Sequence, residues 1–171
     1  MKENINIRKA QLADINDIMD LYHYTVKFIN NRDYSEEQIE VWSNGAYNPD
    51  NWKRKIDEQY FIVAETGGKL AGISSIAKDG YLDYMYVHKD FQRCGVASAL
   101  LKEIERKAQE QKNPEIYSHV SKTAKGFFEK MGYTHKEDLQ DMYKGVLFVN
   151  ALMIKKLIYN ALKPDLAEKQ I

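Results

Sequence analysis

The residues best suited to chemistry lie at the junction of a predicted strand and a predicted helix. Met85-Tyr86-Val87 ends an apolar segment, Gln92 to Ser98 follows, and a helical pattern begins within it. The first N–H groups of a helix have no acceptor within the helix, and the helix dipole adds positive charge there. Gly95 and Ala97 are small enough to let phosphate oxygens approach these amides. The junction therefore predicts an anion site formed mainly by main chain and suited to a pyrophosphate.

A carboxylate stands in the same apolar strand. With side chains alternating between the two faces, Asp83 is expected to share a face with Tyr81, Met85 and Val87. A buried carboxylate is costly unless it is paired or functional. Asp83 is therefore our candidate general base for an incoming ammonium group, directly or through water, and the alternative is a salt bridge at the sheet edge.

Two motifs resemble one enzyme family. Gln92-x-x-Gly95-x-Ala97 is similar to the Q/R-x-x-G-x-G/A acetyl-CoA motif of the GNAT-type N-acetyltransferases. The later segment 120–133 resembles the family's N-x-x-A-x-x-x-Y-E-K-x-G-F signature. By order of elements the resemblance covers about residues 5–157, and it is specific at motif level over 81–133. It implies an α+β GNAT fold, in which a mixed, mostly antiparallel sheet splays apart at a cofactor cleft and is flanked by helices.

The resemblance also implies acetyl-CoA as co-substrate and two groups of residues that bind it. The first group is Met85, Tyr86, Val87, Gln92, Arg93, Cys94, Gly95, Val96, Ala97 and Ser98, and the second is Ser121, Ala124, Phe127 and Phe128. The backbone amide of Val87 is expected to point at the thioester carbonyl, where one positioned N–H is worth about 2.7–4 kcal/mol. Residues 92–98 are called the cradle from here on. Cys94 is expected to have no catalytic role, because the cradle acts through its main chain.

Two positions depart from the family pattern. Phe128 stands where the family often has a tyrosine that donates a proton to the departing thiolate. The substitute donors are Tyr133, Tyr143, His119 and Ser121, and Tyr133 is our catalytic candidate among them. The family often has a glutamate at the position of Tyr81, two residues before Asp83.

The N-terminal helical region supplies the candidate acceptor site. Four large aromatic residues, Tyr22, Tyr34, Trp42 and Trp52, lie within this region, and at helical spacing they are first of all core residues. We expect one or two to line an acceptor pocket, and our candidates are Tyr22, Tyr34 and Trp42, together with Asn150 on the last strand. The segment 33–42 resembles the D-Y-S/T-x-x-Q-x-x-x-W segment of a small bacterial subgroup, which implies a small-molecule or peptide amine as acceptor.

Composition limits the class of protein. The chain has 171 residues, of which 44% are apolar, and this suits one domain. Its 25 basic and 25 acidic side chains cancel, so no net electrostatic field attracts nucleic acid or a membrane. We expect a domain over 1–157, a C-terminal tail over 158–171, and a monomer or homodimer. One cysteine and the absence of an export signal predict a cytoplasmic protein. The histidines lack ligand-like spacing, so no metal site is expected.

The sequence pattern predicts antiparallel strands first and a β-α-β-α-β unit second. Strands are expected at 5–9, 60–65, 70–76, 81–87, 115–120, 133–138 and 147–157. Helices are expected after Asp14, Ser35 and Asn48, and over 95–111 and 121–131. Transfer of an acetyl group to a primary amine in a ternary complex is the predicted function. A non-catalytic acetyl-CoA sensor and a protein–protein scaffold are the alternatives.

Overall fold

Residues 4–159 are described by a computed structural model. Within them the helices are α1 Ile15–Phe28, α2 Glu36–Asn44, α3 Pro49–Glu58, α4 Val96–Glu110 and α5 Lys125–Lys130. The strands are β1 Asn6–Lys9, β2 Tyr60–Thr66, β3 Lys69–Ile76, β4 Leu82–Val87, β5 Glu115–Val120, β6 Thr134–Tyr143 and β7 Val146–Lys156. No helix of this part of the chain is long and apolar enough to cross a membrane.

The strands form two antiparallel sheets that meet at one point. The orders are β1-β2-β3-β4 and β5-β7-β6, and the parallel bridge between Tyr81 and Tyr117 joins them. The Ser118 hydroxyl donates to the Leu82 carbonyl (2.7 Å) at the same level. Beyond this level β4 and β5 pair no further. We call the gap between them the cleft. The splayed α+β sheet flanked by helices agrees with the predicted fold class.

Helix starts follow the sequence signals with one exception. Ser35 and Gln38 form the predicted capping box of α2, and the Asn48 side chain accepts the Asn51 N–H at the start of α3. The Asp14 side chain was expected to cap α1, but it makes no capping hydrogen bond to this helix. Its carboxylate is instead bonded to the Arg8 guanidinium (2.8 and 2.9 Å).

Two hydrophobic layers cover opposite faces of the sheet. One core holds α4 and α5 against the sheet, with Leu100, Ile104 and Phe128 at its centre. The second core packs α1 and α3 on the other face around Leu21 and Trp52. The cleft thus has a face toward α4, where the predicted phosphate site lies, and a face toward α1 and α3, called the acceptor face below.

Two boundaries differ from the prediction by more than one residue. Residues 121–124 form a turn before α5, because the Ser121 hydroxyl and carbonyl both accept the Ala124 N–H. Strand β6 extends to Tyr143, since it pairs with β7 over its whole length. Of the predicted tail, only Ile158 and Tyr159 are described, and the Tyr159 hydroxyl donates to the Asn113 carbonyl (2.6 Å); residues 160–171 lie outside the described part.

Candidate active site

The predicted cradle has the backbone of an anion site. Gly95 is the N-cap of α4 in the left-handed region (φ 88°), and Arg93 is also left-handed (φ 60°). The first helical bond runs from the Ala99 N–H to the Gly95 carbonyl, so the N–H groups of Val96, Ala97 and Ser98 have no acceptor within the helix. The segment 93–95 is exposed, whereas the Val96 side chain is buried. Phosphate oxygens can therefore reach these amides from solvent.

A close contact between α4 and β3 fixes the position of the cradle relative to the sheet. A Cβ atom on Gly72 of β3 would lie 2.7 Å from Val96 Cγ1, 2.9 Å from Leu100 Cδ1 and 3.1 Å from the Tyr86 carbonyl. Only glycine lets the first turn of α4 approach β3 this closely. Gly72 is not among the residues predicted from the sequence, although a glycine inside a strand pattern is a known sign of close backbone approach.

The edge of β4 that faces the cleft presents backbone N–H groups. Hydrogen-bonded and non-hydrogen-bonded pairs alternate along an antiparallel ladder. The His88 N–H donates to the Ala71 carbonyl (2.8 Å), so the next pair, Val87 opposite Gly72, is of the non-hydrogen-bonded type. Met85, two residues earlier, is of the same type. The N–H groups of Val87 and Met85 consequently point away from β3 and into the cleft.

The carbonyl of Val87 is held by two side chains. The Thr25 hydroxyl of α1 donates to it (2.9 Å), and so does the Gln92 side-chain amide (2.7 Å). Thr25 is buried. One carbonyl therefore connects the acceptor-face helix, the end of β4 and the cradle.

Strand alternation predicted that Asp83 shares a face with Met85 and Val87. In the structure it does not. Tyr84 lies opposite Ser75 and Leu82 lies opposite Ile76, so Asp83 is the extra residue of a β-bulge. The bulge interrupts the two-residue period of the strand. The Asp83 side chain is directed to α3 on the acceptor face.

The Asp83 carboxylate is paired there. The Lys55 ammonium (2.5 Å) and the Gln59 side-chain amide (2.8 Å) both donate to Oδ2. In residues 4–159 no fully buried side-chain oxygen or nitrogen lacks a partner, so Oδ1, which has none of these bonds, is at least partly exposed to solvent. The salt bridge that the sequence left as an alternative is present, and it occupies one of the two carboxylate oxygens.

Aromatic side chains line the acceptor face beside the end of β4. The Trp42 indole N–H donates to the Tyr22 hydroxyl (2.7 Å), and the Tyr22 ring lies 4.5 Å from the ring of Tyr86. The Tyr34 ring packs edge-on against Trp42 at 5.1 Å. Burial raises the pKa of Tyr84 to about 12 and also raises the pKa of Tyr22 and of Tyr86. These phenols are neutral at physiological pH and can donate hydrogen bonds.

Tyr34 extends this cluster to the end of β5. Its hydroxyl accepts the Lys122 N–H (2.9 Å), and the Ser121 side chain is a second partner. The Thr123 hydroxyl donates to Asp33 (2.7 Å) beside it. The loop between α1 and α2 is thereby bonded to the turn that follows β5. Tyr22, Tyr34 and Trp42 thus belong to one aromatic cluster.

Asn150 lies elsewhere on the acceptor side. It is half-buried on β7 opposite Leu139. By strand alternation it shares a face with Phe148, which packs on Tyr34 and Trp42. Asn150 is therefore on the acceptor face, two residues beyond the aromatic cluster.

Two predicted residues of the later motif are core residues. Phe128 is 2% exposed, with its ring 5.1 Å from that of Tyr133. The Tyr133 hydroxyl donates to Glu105 (3.2 Å), which also pairs with Lys155 (2.7 Å). Glu105 lies ten residues beyond Gly95, or about 15 Å along α4, so the geometry argues against Tyr133 as a proton donor. Ala124 and Phe127 are half-buried beside this core.

Comparison with known proteins decides the family. A family profile described as an acetyltransferase (GNAT) domain matches residues 30–157. The chain belongs to the GNAT family of acetyltransferases. The family's co-substrate is acetyl-CoA, as the resemblance of the two motifs predicted.

Individual GNAT proteins match over nearly the whole chain. The uncharacterized N-acetyltransferase YafP of Escherichia coli (strain K12) is 29% identical over 150 residues, which cover 88% of this chain and 95% of YafP. A GCN5-related N-acetyltransferase from Rhodopseudomonas palustris has the same fold, with a TM-score of 0.88 at 24% identity over 92% of this chain and 98% of the other. The PaiA N-acetyltransferase of Thermoplasma acidophilum, solved in complex with coenzyme A, gives a TM-score of 0.75 at 23% identity, covering 90% and 99%.

Proposed function

We propose that this GNAT protein transfers the acetyl group of acetyl-CoA to the primary amine of a small molecule or peptide, by direct attack in a ternary complex. The observation that carries the proposal is the edge of β4. The cleft-facing N–H groups of Met85 and Val87 run toward the exposed cradle at Gly95. An extended pantetheine arm can add to such an edge as a strand does, with the pyrophosphate at the helix start.

Acetyl-CoA supplies an activated acyl group, and the residues around it have separate tasks. The N–H groups of Val96, Ala97 and Ser98 bind phosphate oxygens, and the exposed cradle leaves room for the nucleotide. The N–H of Val87, and by the same register that of Met85, stabilises negative charge on the carbonyl oxygen during attack. Ser121, whose hydroxyl lies at the end of β5, contacts the arm from the opposite side of the cleft.

The acceptor enters from the acceptor face. Tyr22, Tyr34 and Trp42 form its aromatic wall, and Asp83 receives the ammonium group through Oδ1. The positive charge of Lys55 offsets the negative charge of Asp83. The site therefore has little net negative charge before the amine binds. Phe128 supplies no acid, and a coenzyme A thiol, with a pKa of about 8.5 by analogy with cysteine, leaves as a thiolate without one.

Release of free thiol from acetyl-CoA with a panel of primary amines tests the proposal. The panel includes small aliphatic amines, amino acids and short peptides with lysine or a free N-terminus. Amine-dependent thiol release and a matching acetylated product, identified by mass spectrometry, are expected. Acetyl-CoA binding by calorimetry without release for any amine would contradict the proposal and favour the sensor.

A further inference from the structure

A histidine on β5 stands at the point where the two sheets separate. The bond from Ser118 to the Leu82 carbonyl is the last one that joins β5 to β4. The next residue on β5 is His119, and the next on β4 is Asp83. Both are thus the first residues past the apex of the cleft.

His119 lies on the acceptor face. Along β5 the residues Ile116, Ser118 and Val120 are buried, whereas Tyr117 and His119 project from the other side of the strand. The imidazole is exposed to solvent. It can therefore exchange a proton with water, which a buried histidine cannot do readily.

Tyr81 packs against His119 and senses the charge of Asp83. The ring centroid of Tyr81 lies 5.3 Å from that of His119, in an edge-on arrangement. Burial, followed by the nearby charge of Asp83, raises the pKa of Tyr81. Tyr81 is therefore a neutral side chain beside the imidazole, and the same phenol is influenced by the carboxylate.

We propose that His119 is the general base of the transfer reaction, which is an extension of the proposed function and rests on it. Asp83 binds the acceptor ammonium through Oδ1, while its other oxygen is occupied by Lys55 and Gln59. The imidazole, which carries a free electron pair when neutral, takes one proton from the ammonium, directly or through a water molecule.

The step balances in protons and electron pairs. The freed nitrogen pair attacks the thioester carbon, and the carbonyl pair moves to oxygen. The C–N bond forms, the C–S bond breaks, and coenzyme A leaves as the thiolate. The second N–H proton passes to the thiolate or to solvent, and the exposed imidazole of His119 returns its proton to water.

Other titratable groups face this site from each neighbouring strand. Asp83 faces it from β4 and Tyr81 from the residue just before β4. Tyr117 lies on β5, and the carboxylate of Asp141 on β6 is close enough to Tyr81 to raise the pKa of that phenol. Directly across the sheet, His119 pairs with Leu152, which pairs with Glu137. The pH dependence of turnover must therefore be assigned with variants, not from the profile of the wild type alone.

The pH dependence of kcat/KM in His119→Asn provides the test. Wild-type turnover is expected to fall at acidic pH as the base becomes protonated. In His119→Asn we expect this acidic limb to disappear and the plateau kcat/KM to fall about 100-fold, the low end of general acid–base catalysis. Acetyl-CoA affinity by calorimetry and the melting temperature should stay at wild-type values, since the side chain is exposed. Free imidazole should restore part of the rate.

His135→Asn is the matched control. His135 is an exposed histidine on β6 that pairs with Asp138 (2.9 Å) and lies outside the site. Its variant should keep the rate and the profile of the wild type. Asp83→Asn, measured in parallel, should raise the KM for the amine and retain the acidic limb.

The outcomes separate the two proposals. If the wild type transfers acetyl groups and His119→Asn keeps both the rate and the acidic limb, His119 is not the base. Loss of the limb in Asp83→Asn alone would assign the base to Asp83 and overturn the inference. If the wild type binds acetyl-CoA and acetylates no amine, the proposed function itself fails and the inference fails with it.

Discussion

Replacing Gly72 by alanine should weaken acetyl-CoA binding, although residue 72 packs behind the cradle and not on its phosphate side. The added Cβ would lie 2.7 Å from Val96 Cγ1, whereas two carbon atoms at optimal separation are about 3.5–4.0 Å apart. The contact is therefore short by about 1 Å. Val96 is β-branched and has little rotamer freedom in a helix, so the helix must move.

The cost can be divided into stability and affinity. Overpacking of this kind lowers the free energy of unfolding by about 1–3 kcal/mol. A 1 Å retreat of the first turn of α4 also lengthens the bonds from its amides to a pyrophosphate. Losing one such charge-assisted bond costs about 1.5 kcal/mol, or about tenfold in the Kd for acetyl-CoA.

Calorimetric titration with acetyl-CoA and thermal unfolding measure the two effects. Gly126→Ala is the matched control, because a Cβ on Gly126 of α5 meets nothing within 4 Å. That variant should bind acetyl-CoA as the wild type does. The double variant Gly72→Ala, Val96→Ala removes the nearest clashing atom and should recover part of the affinity. Wild-type affinity and melting temperature in Gly72→Ala would refute the packing argument.

Three further predictions concern single residues of the site and its core. Gly95→Glu has room for its side chain, since a Cβ at this position would be 4.0 Å from its nearest neighbour, Ile5 Cδ1, but the φ of 88° strains any residue other than glycine and should lower the melting temperature. The variant should abolish acetyl-CoA binding in calorimetry, because its charge opposes the pyrophosphate; unchanged affinity in a folded variant would show that the cradle is misplaced. Thr25→Val should remove the bond to the Val87 carbonyl and lower kcat/KM about fivefold to tenfold, a loss of about 1 kcal/mol, while Thr25→Ser retains the activity; equal activities in the two variants would mean that this bond does not position the strand. Phe128→Tyr should lower the free energy of unfolding by about 1–3 kcal/mol in denaturant titration, because the ring is 2% exposed and the new hydroxyl has to find a partner in the core; wild-type stability together with faster turnover would place this side chain at the thioester instead.

The sequence alone predicted the backbone of the proposed cofactor cradle. The order of strand, glycine turn and amphipathic helix is local, and the structure has Gly95 at φ 88° as the N-cap of α4. The helix caps at Ser35 and Asn48 could also be predicted from the sequence, because each depends on residues within one turn of helix. The family likeness followed from two short motifs that keep these local requirements.

Features that depend on contacts between distant segments could not be read in this way. Asp83 changes face because one extra residue bulges from β4, and the pairing register that places the bulge is set by β3. Tyr133 fits a family motif, yet its hydroxyl is bonded to Glu105 of α4, 28 residues away. Asp14 has the residue type of a helix cap, and Arg8 binds its carboxylate instead.

The acceptor face was decided by tertiary structure for the same reason. Tyr34 reaches the Lys122 amide across 88 residues of sequence, and Thr25 reaches the Val87 carbonyl across 62. His119 gains its position only because Ser118 ties β5 to β4 one residue before the strands separate. A periodic pattern specifies which face of a strand is buried, whereas the partner across the cleft is fixed by how the two sheets pack together.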